Sequence, residues 1–345
     1  MGRDNIPRYG PVIFTVNHAN QFVDAVMTLS TNERKLSYLM AEASWKRRVI
    51  GDIAWALGVV PVKRAQDYSV KGKGTILIQK EETETDETPP ALVGDESQPP
   101  PPPPPPLLKV TGTGTFFTAD LNLGDKVRPP KTALTFKIIK IESDTEMVLD
   151  GTDSQDFTFA DEPTSFDVLH KIDQKVVYEK VLDKLASGGA IGIFPEGGSH
   201  DRTDLLPLKV GIALIAYSAM EKDGISVPIV PVGLSYFQGH RFRGRAVVEY
   251  GQPIYIQPET LKHYKRGGQS KRKVCNDLLD RIQDSMKSVL VTTPDYESMQ
   301  LVYTARRLYQ RKDIDASQKQ DLSRRFAQGY KLMMLMTEGQ DLPRE

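Results

Sequence analysis

"PVIFTVNHANQFVDAV", residues 11–26, decides how the chain is read. Residues 11–16 are short, apolar and β-branched and follow Gly10, which predicts a strand buried on both faces. "FVDAVMTLS" (22–30) has helical character. Between the two lies a histidine, His18, and just inside the helix an aspartate, Asp24. Histidine titrates near neutrality, and a carboxylate on one ring nitrogen fixes the tautomer and supports the imidazolium. On a regular helix a separation of six residues places side chains about 240° apart. The pair therefore meets only if the chain turns before the helix begins. Taken alone, a His and an Asp in a post-strand loop are more often structural caps than catalysts.

Outward from this stretch, strands alternate with helices. "KLSYLMAEA" (35–43) reads as a strand running into a loop, and "WKRRVIGDIAWALGVVPVKR" (45–64) as an amphipathic helix followed by a short strand. "QKVVYEKVLDKLASGG" (174–189) is a helix with a glycine stop, and "AIGIFPEGG" (190–198) a buried strand with its exit loop. "LKVGIALIAYSAM" (208–220) is a helix; "VPIVPVGLSYF" (227–237) and "RAVVEYGQPI" (245–254) are strands. The alternation predicts an α/β fold with a central, mostly parallel sheet flanked by helices. The two prolines of "VPIVPVGL" predict an edge or bulged strand, because proline lacks a ladder donor.

The alternation breaks once. Residues 80–106 are acidic and then proline-rich, ending in the run Pro99–Pro106, and cannot build a core. Residues 107–150 alternate β-branched and aromatic positions between Gly, Asn and Pro breaks, which predicts an inserted β-rich module. "FDVLHKIDQKVV" is read as a return to helix. The expected domains are the first part of an α/β domain (1–79), a disordered linker (80–106), a β-rich insert (107–165), the second part of the α/β domain (166–257) and a helical C-terminal region (258–345). The basic run "KHYKRGGQSKRK" (262–273) reads as a solvated loop, with contact to lipid headgroups or a polyanion as the alternative.

Composition limits the function classes. The 345 residues are 39% hydrophobic and 26% charged with zero formal net charge, so nucleic acid is not an expected partner. One cysteine, Cys275, excludes a disulfide framework and a cysteine-ligated zinc; no metal site is expected, and Cys275 reads as a buried helix thiol. No stretch reaches the roughly 18 apolar residues of a membrane span.

Two further loops carry candidate chemistry. "FPEGGSHDR" (194–202) places Glu196, Gly197, Gly198, Ser199, His200 and Arg202 after a strand, where glycines let backbone amides approach an anion. "GVVPVKR" (58–64) sends Lys63 and Arg64 past a strand end, where paired cations can hold a phosphate. A plain strand-to-helix turn and a solvated strand end are the ordinary alternatives.

In order and spacing, these blocks resemble the glycerolipid acyltransferase family over about residues 10–257, excluding the insert. "NHANQFVDA" and "FPEGGSHDR" look particularly like the fungal glycerol-3-phosphate/dihydroxyacetone-phosphate acyltransferases. The resemblance implies that His18 is a general base and Asp24 its partner. Arg64, with Lys63, would bind the glycerol phosphate; Glu196 and Gly197 would shape the acceptor site; Pro231 would lie by the acyl chain. Gly198 and Ser199 stand where the family often has Thr-Arg, which leaves open whether His200, Arg202 or Lys209 takes an arginine's role. The family usually places four residues between His and Asp; here there are five. Acyl-CoA is the implied co-substrate and no cofactor is expected, because a thioester is already activated. The implied setting is the cytosolic face of the endoplasmic reticulum membrane, with spans outside these residues. Two other readings stand beside this one. One is a lysophospholipid acyltransferase of the same fold. The other is a scaffold whose Pro99–Pro106 rod recruits SH3- or WW-type domains.

Overall fold

The computed structural model describes residues 1–20, 23–63, 65–80, 106–130, 132, 134–152, 157, 159, 162–171, 175–236, 246–311 and 314–337. Residues 81–105 of the linker expected over 80–106, with nearly all of its polyproline run, lie outside them, as does Arg64. The chain divides into two compact units, Met1–Val62 with Lys175–Glu345, and Lys63–Gln174.

The first unit opens with β1 (Val12–Val16), α1 (Val23–Thr31), β2 (Leu36–Ala41), α2 (Glu42–Trp45), α3 (Arg48–Ala56) and β3 (Val60–Val62). The second unit holds β4 (Val70–Lys71), β5 (Thr75–Lys80), β6 (Leu107–Thr113), α4 (Phe117–Asp120), β7 (Lys126–Arg128), β8 (Phe136–Ile141), β9 (Glu146–Asp150) and β10 (Asp167–Leu169). The first unit then resumes with α5 (Lys175–Ala186), β11 (Ala190–Ile193), α6 (Gly211–Asp223), β12 (Ile229–Tyr236) and β13 (Ala246–Tyr250). It finishes with α7 (Thr260–Arg266), α8 (Gly268–Ser288), α9 (Tyr296–Tyr309) and α10 (Ala316–Thr337).

Its sheet runs β13-β12-β1-β11-β2-β3, parallel throughout except for the antiparallel β13. Every residue of β1 is buried, as a parallel strand covered on both faces requires. Alternate side chains divide the core in two. Ile13, Ile191 and Ile229 pack with Val181 and Leu185 of α5, Ile212 and Ala216 of α6, and Leu278 and Ile282 of α8. Val12, Phe14 and Val16 face the other way with Val230, Val232 and Tyr250, toward the partly buried Ala25, Met27 and Leu29 of α1. Each such side chain contributes about 1.5–3 kcal/mol of burial. Cys275 lies buried on α8, where burial raises its thiol pKa.

The second unit is a seven-stranded antiparallel sheet, β4-β10-β7-β8-β9-β6-β5. β4 and β5 are successive pieces of one chain segment, and Ile76 of β5 exchanges two backbone bonds with Thr164, just before β10. The sheet therefore closes on itself, which removes its free edges. Ile76, Ile78, Leu108, Val110, Phe117, Phe136, Ile138 and Met147 fill the interior. Asp125 accepts from the His170 ring at 2.9 Å and from the Lys171 N–H at 2.7 Å, tying the end of β10 to the turn before β7.

Several expectations are corrected. The second unit starts at Lys63 rather than 80, because β4 and β5 complete its sheet, and it ends beyond 165 because β10 does so too. "FDVLHK" is strand where helix was expected, since Phe166 and Val168 alternate into the barrel interior. "EASW" is a helical turn, not a loop. The basic run 262–273 is not a loop: it forms the end of α7 and the start of α8, anchored by the buried Tyr264 stacked on Tyr217 at 4.7 Å. β12 is an interior strand, not an edge. The bulged alternative holds: Gly251 still donates to the Pro231 carbonyl at 2.8 Å, and the pairing then slips by one residue, from Val232 opposite Tyr250 to Ile229 opposite Ile254, where proline's missing donor is needed least. No helix among the described residues is long and apolar enough to cross a membrane.

Candidate active site

The five parallel strands bring their carboxyl ends to one edge, the place where open α/β sheets bind ligands. His18 follows β1 there and Glu196 follows its neighbour β11. The turn that the helical geometry demanded is present. Asn20 makes it, accepting the Asp24 N–H on its carbonyl at 3.1 Å and the Val23 N–H on its side chain at 3.5 Å. Its own N–H donates to Asp24 Oδ2 at 2.7 Å. Asp24, fully buried in the first turn of α1, thereby meets His18 Nδ1 with Oδ2 at 2.9 Å. Five intervening residues thus still bring the two side chains into contact.

The carboxylate selects the tautomer. Nδ1–H donates to Asp24, which leaves Nε2 with its lone pair. Tyr236, at the end of β12, donates to Asp24 Oδ1 at 2.6 Å. Burial first, and then the bond to Asp24, push the Tyr236 phenol well above the usual tyrosine range. The imidazole is held in plane by Phe194, whose ring stacks on it at 4.0 Å and 17° and on Tyr38 at 5.2 Å. Asn17 pins the loop to β12, accepting the Leu234 N–H at 2.7 Å and donating to the Leu234 carbonyl at 3.1 Å.

Glu196 is buried and both its oxygens are engaged by protein donors. Oε1 accepts the His18 N–H at 3.0 Å; Oε2 accepts the Leu206 N–H at 2.9 Å and the His200 Nε2–H. His200 also accepts the Arg202 N–H on Nδ1 at 3.2 Å, so neither of its ring nitrogens is open. The His200 N–H donates in turn to the His18 carbonyl at 3.0 Å. The two loops are thus laced together through Glu196. Gly197 sits at φ 75°, and a Cβ there would lie 2.5 Å from Lys209 Nζ, so the lysine chain crosses directly over it. Lys209 donates its N–H to the Pro195 carbonyl at 2.9 Å and makes no ion pair among the described residues. The amides of Gly198 and Ser199 donate to no described residue, and Gly198 is exposed. Arg202 is exposed as well.

Not every expected residue joins this group. Pro231 is buried level with Thr15 of β1, against Gly251 and Val289. It therefore lies three residues, roughly 10 Å, below His18 along the strand direction. Lys63 is exposed immediately after β3 and falls in the second unit. Among the described residues no group of three or more His, Cys, Asp or Glu side chains could hold a metal ion. Sequence reasoning missed Asn17, Tyr38, Phe194 and Tyr236. The one available signal was that Tyr236, like His18 and Glu196, is a polar residue at a strand's carboxyl end.

An acyltransferase family model matches residues 1–87 and 165–235, which include His18, Asp24, Glu196 and Lys209. The chain carries an acyltransferase-family domain. The chain is 34% identical over 341 residues to an uncharacterized acyltransferase of Schizosaccharomyces pombe, covering 95% of this chain and 47% of that protein. It is 36% identical over 346 residues to glycerol-3-phosphate O-acyltransferase 1 of Saccharomyces cerevisiae, covering 95% of this chain and 42% of that protein. The chain thus spans less than half the length of these relatives. The crystal structure of the 1-acyl-sn-glycerophosphate acyltransferase PlsC from Thermotoga maritima matches with a TM-score of 0.36 and 13% identity, over 83% of this chain and 70% of that one.

Tyr38, which is buried, and Tyr236, which is half-buried, set an expected alkaline limit to the fold. Burial raises the pKa of Tyr38 and of Tyr236 in the folded state. Each group therefore stabilises the fold fully below about pH 10, and that contribution is lost as pH rises above it. Tyrosinate absorbance from these two residues is expected only when the far-UV circular dichroism signal collapses. Tyr236→Phe should remove one such late-titrating phenol; an unchanged titration would contradict the assignment.

Proposed function

We propose that the protein is an acyl-CoA-dependent sn-1 O-acyltransferase acting on glycerol-3-phosphate, and also on dihydroxyacetone phosphate, in glycerolipid synthesis. The observation that carries the reading is the buried Asp24 holding His18 Nδ1 at 2.9 Å, which leaves Nε2 as an acceptor at the ligand-binding edge of the sheet. The similarity to a yeast glycerol-3-phosphate O-acyltransferase supports glycerol-3-phosphate as the acceptor.

In the proposed reaction Nε2 takes the proton of the acceptor hydroxyl as its oxygen attacks the thioester carbonyl. The C–S bond breaks, and the coenzyme A thiolate leaves with the proton returned by the imidazolium. The products are the ester and free coenzyme A. The charge developing on the carbonyl oxygen needs donors already aimed at it. The open amides of Gly198 and Ser199, on the loop bonded to His18, are assigned that role. Lys209, lying over Gly197, supplies positive charge at the same loop. Glu196 and His200 are assigned to positioning rather than to substrate contact, since their polar atoms are engaged by the protein.

The phosphate is assigned to Arg64 with Lys63, on the strength of the sequence resemblance. Arg64→Ala is expected to raise KM for glycerol-3-phosphate by ~10-fold or more, as loss of a charge-assisted contact implies, with KM for acyl-CoA little changed. An equal effect on both substrates would make Arg64 structural. The reading as a whole is tested by coenzyme A release from palmitoyl-CoA. Release should require glycerol-3-phosphate; release that ignores the acceptor would overturn it.

A further inference from the structure

Side chains alternate along a strand, so the last two residues of β12 reach opposite faces of its sheet. Val230, Val232 and Leu234 face α1, and Tyr236 continues on that side. There it completes the hydrogen bonding of Asp24. Oδ2 accepts twice, from the Asn20 N–H at 2.7 Å and from His18 Nδ1 at 2.9 Å. Oδ1 accepts from the Tyr236 hydroxyl at 2.6 Å, which is its only donor among the described residues. Asp24 is 0% exposed, so no solvent hydrogen bond would replace that one. A buried carboxylate oxygen left without a donor is costly. Held at one oxygen, the carboxylate is free to turn about its last bond; held at both, it is not.

The end of β12 itself needs support. β1 runs out opposite Val232, and past the Asn17 bonds to Leu234 the only strand alongside is β13. α10 supplies a second hold, on Ser235. Gln320, 1% exposed, donates from Nε2 to Ser235 Oγ at 3.0 Å. One turn on, Arg324 donates to Glu249 of β13 at 2.8 Å, and Glu249 is paired with Gly233. The Gln320 Oε1 is buried without a partner among the described residues. Such an atom costs free energy, so the favourable contribution of the amide is its hold on Ser235. α10 is thereby joined to His18 through Ser235, the adjacent Tyr236 and Asp24.

We propose that Tyr236 is a positioning residue for the Asp24–His18 pair, and that Gln320 of α10 fixes the strand end that carries it. The kinetic part of this rests on the proposed acyl transfer. The proton between His18 and Asp24 is read by NMR without substrate, so the two readings can fail separately. With isotope-labelled histidine, His18→Ala picks out the His18 Nδ1–H signal among the five histidines. Tyr236→Phe keeps the ring and leaves Asp24 its Asn20 and His18 donors, so far-UV circular dichroism should be unchanged. The Nδ1–H signal should broaden through faster exchange with water. In that variant kcat should fall ~10-fold or more, as for a misplaced catalytic group, with both KM values within about twofold of the wild type. Gln320→Leu should act in the same direction, with about a threefold loss of kcat. Added to Tyr236→Phe it should cost nothing more, because contacts in series do not sum. An unchanged Nδ1–H signal in Tyr236→Phe would overturn the proposal, whether or not kcat falls. Additive losses in the double variant would overturn the part given to α10. A broadened signal in a protein without acyl transfer would leave the positioning standing and refute the proposed function instead.

Discussion

Replacing His18 by alanine is expected to slow acyl transfer by ~10²–10⁴-fold, the range associated with loss of a general base, while the protein stays folded. Among the described residues only Nδ1 of this ring is hydrogen-bonded, to Asp24, and the side chain is 13% exposed. Asp24 keeps the Asn20 N–H and the Tyr236 hydroxyl when the imidazole is gone, so the buried carboxylate is not stranded. Circular dichroism should therefore be near normal. A folded variant with near-normal turnover would remove His18 from the mechanism. Asp24→Asn should act in the same direction, because an amide that offers its N–H₂ to Nδ1 favours the wrong tautomer.

Glu196→Ala is expected to fail differently, through the structure. The side chain is 3% exposed and accepts from the His18 N–H, the Leu206 N–H and the His200 ring. Stranding these donors should cost on the order of 3–5 kcal/mol, a fall in Tm of about 10 °C. Activity should fall with it, since the His18 backbone loses its anchor. Glu196→Gln retains a carbonyl oxygen and should recover part of the stability. In that variant kcat should fall with no selective rise in KM for glycerol-3-phosphate. A selective rise at unchanged Tm would place the carboxylate on the acceptor, the role that the sequence resemblance implied.

What was legible in the sequence was local. A parallel strand buried on both faces is apolar throughout, so β1, β11 and β12 announced themselves. The His18–Asp24 pair was legible because its members are six residues apart and a turn of the chain suffices to join them. The partners that set the pair were not. Tyr236 and Asn17 reach their contacts across more than two hundred residues, through the β1–β12 register, and no local pattern encodes a register between distant strands. Phe194 read as the end of a strand, and its stacking on His18 follows from β1 and β11 being neighbours. Pro231 announced an edge or a bulge through its missing donor, and it is the bulge, a one-residue slip between the Val232–Tyr250 and Ile229–Ile254 pairings, that the interior strand uses. The limits of the second unit were misplaced for a related reason. β4, β5 and β10 are short, and only closure of the barrel shows where they belong.

We propose that the Asp24-held His18 serves transfer from acyl-CoA to glycerol-3-phosphate. The most direct test is the identity of the lipid formed when the protein is given palmitoyl-CoA with equal amounts of glycerol-3-phosphate and lysophosphatidate. Mass spectrometry at early times should find palmitoyl-lysophosphatidate made from glycerol-3-phosphate, in step with free coenzyme A, and none of it with His18→Ala. Phosphatidate formed from the added lysophosphatidate while glycerol-3-phosphate stays unused would contradict the account.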